Sequence, residues 1–201
     1  MPHDMPMVLI RPLSHPLAPF RTSGGVSAHS AADLSARLFA AVLAKRVQYG
    51  HLPKVQIVFV GASGPARHAF AEYDPDAFEA GIGDLIDKSI SSISGGVGVV
   101  RVSLRVGLRS VSVAVEDNGR GFSDDLIRRS LRRALGGPET PDELAPSTHS
   151  IYAVERMRRL AHDWGGRSES VSRLGAGSRT DVELPRADDL GCAAAAQARQ
   201  S

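Results

Sequence analysis

Residues 111–125 read VSVAVEDNGRGFSDD. Val111, Val113 and Val115 alternate with Ser112, Ala114 and Glu116, the period of a strand with one buried face. The alternation then breaks into Asp117-Asn118-Gly119-Arg120-Gly121-Phe122, so a strand delivers an acid into a turn with two glycines. A carboxylate held at a strand end can accept a hydrogen bond from an exocyclic amine, and glycines let backbone pass close beneath a flat ring. Adenine has such an amine. Taken alone, the same residues also read as a plain Asn-Gly turn between a strand and a helix.

Working outward, Val99 to Val106 alternates as cleanly as Ser110 to Glu116, which predicts an antiparallel hairpin about Gly107-Leu108-Arg109. Upstream, residues 76–92 place Phe78, Ile82, Leu85, Ile86 and Ser89 on one helical stripe, with Asp74 or Asp76 at the N-terminus, where an acid suits the helix dipole. Before that, 54–60 (KVQIVFV) reads as a strand, 61–65 as a turn, and 67–73 (RHAFAEY) as a short strand or a loop. Leu34, Leu38, Ala41 and Val42 recur at helical spacing and predict a helix over 30–47, capped by Ser30 or Asp33.

Downstream, 123–135 reads as a helix carrying Arg128, Arg129, Arg132 and Arg133, and 136–150 as a long polar loop. A further helix runs to His162, and strands follow around 168–172 and 179–184. With Arg156, Arg158 and Arg159 the arginines make the one basic concentration in the chain, either a docking surface or a solvated helix face.

Three of these segments stand in the order of one known superfamily. Asp117 to Phe122 resembles the DNGxGF box of the ATPases that include DNA gyrase, the large heat-shock chaperones, histidine kinases and mismatch-repair MutL. Residues 74–90, DPDAFEAGIGDLIDKSI, resemble its N-box helix, and 165–185, GGRSESVSRLGAGSRTDVELP, resemble the closing hairpin of histidine kinases. The resemblance covers about residues 54–185 and implies the Bergerat fold: an α+β two-layer sandwich, its mixed and mostly antiparallel sheet carrying helices on one face. The order of strands and helices suggests a two-layer α+β domain without it.

The resemblance also implies roles. Asp117 reads the adenine amine, Gly119 and Gly121 admit the ring with Asn118 and Phe122 beside them, Ser178 stands at the family's adenine-side Thr, and Asp84 falls at the Glu that acts as general base, or at the first Asn of kinases. Lys88 falls where the family carries its magnesium-binding Asn, and an ammonium has no lone pair for a cation. Lys88 therefore contacts the triphosphate itself, or the site no longer handles Mg²⁺·ATP, or the side chain snorkels outward to pair with Asp84. The loop 136–150 takes the place of the ATP lid, and residues 148–152 hold no glycine where histidine kinases have a glycine run.

Composition sets the outer bounds. The 201 residues divide into a proline-rich arm (1–25), an N-terminal helix (26–53), a histidine-kinase-like domain (54–186) and a tail (187–201). Within the arm, Val8-Leu9-Ile10 can pair at a sheet edge. A net charge of +2 argues against a nucleic-acid partner, since a docking surface needs clustered rather than dispersed cations. A single cysteine, Cys192, and the lack of a long apolar run point to a cytoplasmic protein without a membrane partner. His29 lacks the pattern that surrounds a phospho-accepting histidine and reads as an ordinary surface residue.

The expectation is an ATP-binding histidine-kinase-like protein acting in signalling or phosphotransfer. The alternative is a catalytically impaired pseudo-kinase serving as an interaction module, its partner a response regulator or regulatory protein. A homodimer is left open. A dimeric clamp of the MutL kind lacks the transducer domain it would need.

Overall fold

The computed structural model describes residues 8–9, 30–64, 69–93, 97–122 and 148–187. In chain order the elements are β1 (Val8–Leu9), β2 (Ser30–Asp33), α1 (Leu34–Gln48), β3 (Val55–Ser63), β4 (Phe70–Tyr73) and α2 (Pro75–Ser92). Then come β5 (Gly98–Val106), β6 (Ser110–Asp117), α3 (Thr148–Asp163), β7 (Arg167–Arg173) and β8 (Gly177–Pro185). One sheet of six strands runs in the order β1-β7-β8-β6-β5-β3, with β3 parallel to β5 and the other pairs antiparallel.

Alternation makes one face of this sheet the floor of the core. Val100, Val102, Leu104 and Val106 of β5 and Val111, Val113 and Val115 of β6 point inward, while Arg101, Arg105 and Glu116 point out. The inward side chains pack with Leu38 and Val42 of α1, Phe78, Ile82, Leu85 and Ile86 of α2, and Met157 and Ala161 of α3. The result is an α+β two-layer sandwich with its described helices on one face, and α1 shares the core of the residues that follow it. Tyr73, Phe78 and Trp164 close one side through edge-on ring contacts at 5.1 and 5.9 Å from Tyr73.

Two local expectations need correction. Residues 30–33 are not the first turn of a helix but the strand β2, paired antiparallel with β4 in a separate two-stranded sheet. Of the two expected caps it is Asp33 that serves α1, its Oδ1 accepting from Ser35 N at 2.9 Å. Residues 61–63 do not turn the chain, because β3 absorbs an irregularity between Val60 and Ala62 and stays paired to Ser63. For α2 the cap is Asp74, which accepts from the amides of Asp76 and Ala77 at 3.0 Å.

His29, the arginines at 128, 129, 132 and 133, the helix expected over 123–135, the loop up to residue 147 and Cys192 lie outside the described residues. Among the described residues no helix is long and apolar enough to cross a membrane.

Candidate functional site

The alternation that builds the core also places the acid. Counting inward along β6 gives Val111, Val113, Val115 and then Asp117, and along β8 gives Leu184, Val182, Thr180 and then Ser178. Asp117 and Ser178 are register partners, so both face the last turns of α2. All the buried polar side chains among the described residues belong to this region: Lys88, Ser89 and Ser92 on α2, Asp117 on β6, and Ser170, Ser172, Ser178 and Thr180 on β7 and β8. Apart from the Tyr73 hydroxyl, the described core is otherwise apolar and has one polar corner.

Asp117 is at its centre, its side chain fully buried. Its Oδ1 accepts from Gly119 N at 3.0 Å and from Ser92 Oγ at 2.9 Å, the serine sharing its one proton with Ser89 O at 2.7 Å, and its Oδ2 accepts from Ser178 Oγ at 2.7 Å. Lys88 Nζ stands 3.8 Å from that Oδ2 and donates to Ser178 Oγ. Lys88 thus neither snorkels outward nor pairs with Asp84, since a strand-borne carboxylate draws it into the core. Burial pushes its ammonium below the usual lysine range, and the Asp117 charge pulls it part of the way back.

Asp84 lies on α2 one turn before Lys88 and is bound by Arg156 of α3 at 2.6 Å, the two side chains 26% and 48% exposed. It does not meet Lys88. Arg158 and Arg159 both bond Glu155, so the described members of the basic concentration are paired with acids.

The turn after Asp117 is fastened on both sides. Asn118 spends its side chain on β5, accepting from Val99 N at 2.7 Å, and does not face Asp117. Arg120 N donates to Ser92 O at 3.0 Å, Gly175 N donates to Arg120 O at 2.6 Å, and Phe122 N donates to Ser172 Oγ at 2.8 Å. At Gly119 the place of a Cβ is already taken by Ser92, and Gly121 has φ 61 with the Arg173 carbonyl against it. The glycines here give close passage of backbone over protein rather than an open cradle.

The residues fit a purine in part. A buried acceptor with a hydroxyl at its side suits an exocyclic amine and a ring nitrogen. They do not fit a divalent cation: Lys88 offers no lone pair, Asp84 is tied to Arg156, and no cluster of metal-ligating residues occurs among the described residues. Sequence reasoning missed Ser92, Ser170, Ser172 and Thr180. Hydroxyls recurring at every second residue of 168–172 and 178–180 were the available signal, since they fall on inward positions of strands.

No protein-family model matches this chain, and no curated protein matches it in sequence. Its fold does match solved structures. The catalytic domain of histidine kinase ThkA superposes with a TM-score of 0.59 at 14% identity, over 79% of this chain and 95% of that one. The ATP-binding domain of PrrB from Mycobacterium tuberculosis gives 0.56 at 18% identity, over 80% and 98%. ThkA in complex with the response regulator TrrA gives 0.53 at 15% identity, over 79% and 42%. The chain therefore has the Bergerat fold of the histidine-kinase catalytic domains.

Proposed function

We propose that this chain is an adenine-nucleotide-binding domain of the histidine-kinase-like class that works in signalling in the cytoplasm, through a protein partner of the response-regulator kind. The reading is carried by one observation: Asp117 and Ser178, opposite each other on β6 and β8, present a buried carboxylate and hydroxyl to α2. A core gains nothing from a carboxylate at that point, since burying one costs several kcal/mol before its partners compensate, on the order of magnitude found for ions in proteins. A polar ligand that reads the carboxylate gives a reason for its presence. The partner class is the one crystallised with ThkA.

Asp117 accepts from the adenine amine, Ser178 steadies the carboxylate, and Lys88 answers the phosphate charge. Metal chemistry is not part of the reading. Isothermal titration of the chain with ATP and ADP, with and without Mg²⁺, tests it against Asp117→Asn. Millimolar nucleotide without heat, or equal binding by the variant, ends it.

A second reading, that the domain is catalytically impaired and acts by contact alone, is favoured by Lys88 at the Asn position and by Arg156 holding Asp84. Base catalysis by Asp84 would require Arg156 to release it. Turnover or self-labelling with γ-labelled ATP excludes the impaired domain, and binding without turnover selects it.

A further inference from the structure

An ionised carboxylate offers about four lone-pair directions. At Asp117, Gly119 N and Ser92 Oγ take two on Oδ1 and Ser178 Oγ takes one on Oδ2. Beside Oδ2, at an ion-pair distance of 3.8 Å, stands Lys88 Nζ, and the lysine and aspartate side chains are 7% and 0% exposed. The acceptor that an adenine amine requires is therefore covered from within by another nitrogen donor. The two donors resemble each other chemically, except that the ammonium is charged and the stronger of the two.

We propose that Lys88 is an internal plug: its ammonium holds the place at Asp117 that an adenine amine would take, and a ligand enters only by moving it off. This rests on reading Asp117 as a purine site. The plug also selects its ligand. Once displaced, the ammonium needs a new counter-charge, because an unpaired buried charge is strongly unfavourable. Adenosine brings none. A nucleoside di- or triphosphate brings several, and the flexible four-carbon stem of lysine lets the same residue leave Asp117 and meet the phosphates. The burial that lowers the ammonium's proton affinity makes its hold on Asp117 costly and its release correspondingly easier. Lys88 thereby acts as a specificity-determining residue that admits phosphorylated purines and rejects bare ones.

The full chain, Lys88→Met and Lys88→Asn are titrated with ATP and with adenosine in the absence of divalent cations. The unsubstituted chain binds ATP and not adenosine, and both variants gain adenosine binding by at least about ten-fold, the scale expected when a charge-assisted competitor is removed. If ATP binds but adenosine binding is the same in all three proteins, or absent from the variants, the plug is overturned while the nucleotide site stands. If neither ligand binds any of the proteins, both fall. A second readout needs no variant: in ¹⁵N-lysine-labelled chain, an ammonium held against Asp117 gives a slowly exchanging Nζ–H signal. ATP should shift or abolish that signal and adenosine should leave it, and a signal unmoved by saturating ATP overturns the proposal.

Discussion

Ser178 on β8 donates to Asp117 Oδ2 at 2.7 Å and at the same time accepts from Lys88 of α2. One hydroxyl thus joins a buried acid to a buried base, using its single proton on one side and a lone pair on the other. Ser178→Ala removes both bonds without opening the region to water, so it should destabilise the chain by about 1–3 kcal/mol. Ser178→Thr keeps the hydroxyl and should lose less than half of that. Urea unfolding of the two variants measures the difference, and equal losses would show that the hydroxyl is idle.

The Lys88–Asp117 pair should show strong coupling in a double-mutant cycle. Lys88→Met leaves the carboxylate three hydrogen bonds from Gly119, Ser92 and Ser178, whereas Asp117→Ala leaves the ammonium with Ser178 alone. The acid deletion is therefore the worse of the two, nearer the roughly 3–5 kcal/mol seen when one member of a buried pair is removed. The double variant should be less destabilised than the sum of the singles by more than about 1 kcal/mol. Additive losses would mean that the two charges do not feel each other.

Gly119 and Gly175 make a controlled comparison. A Cβ at Gly119 collides with Ser92, including its backbone, while one at Gly175 meets open space and suffers only from φ +75. Gly119→Ala has to push the turn off α2, an overpacking cost of about 1–3 kcal/mol or more, and should displace Asp117 as well. Gly175→Ala should lose only about 1–2 kcal/mol from its left-handed backbone. Thermal unfolding ranks them, and the reverse order would contradict the packing at Ser92.

The sheet was legible because burial on one face imposes a period of two, which β5 keeps throughout and which β6 and β8 leave only at the buried Ala114 and Gly177. Asp117 was legible for the same reason, as the inward step after Val115. What escaped was set by tertiary contact. Ser30–Asp33 has no strand character of its own and is extended because β4 supplies backbone partners. Helical periodicity puts Lys88 on a face, but only the position of Asp117 on another element decides that its ammonium turns inward. Likewise, two glycines in a turn announce close approach without saying whether a ligand or Ser92 does the approaching.

Tyr73 is fully buried between Phe78 and Trp164, and its hydroxyl has no hydrogen-bond partner among the described residues. Burial pushes its pKa up to about 12. An unpaired buried hydroxyl carries a desolvation penalty while the ring supplies the packing. Tyr73→Phe should keep the ring contacts and raise stability by about 0.5–1 kcal/mol. A loss of more than about 1 kcal/mol by urea denaturation would reveal a partner for the hydroxyl.

Glu155 predicts the acid limb of the stability curve. Partial burial pushes its carboxyl up, but the hydrogen bonds and charges of Arg158 and Arg159 outweigh that and hold it below its ordinary 4.5. The folded chain then binds this proton less readily than the unfolded chain does. The contribution to stability is complete above pH 4.5 and fades as the pH falls through the lower folded value. Because the ion pairs are partly exposed and bind residues on the same helix, the amount is only a few tenths to about 1 kcal/mol. Glu155→Gln has no such proton to take up, so its loss of stability between about pH 6 and about pH 3 should be smaller than that of the unsubstituted chain by this amount. Urea midpoints across that range supply the comparison, and parallel curves would show that Arg158 and Arg159 leave the carboxyl as it is in the unfolded chain.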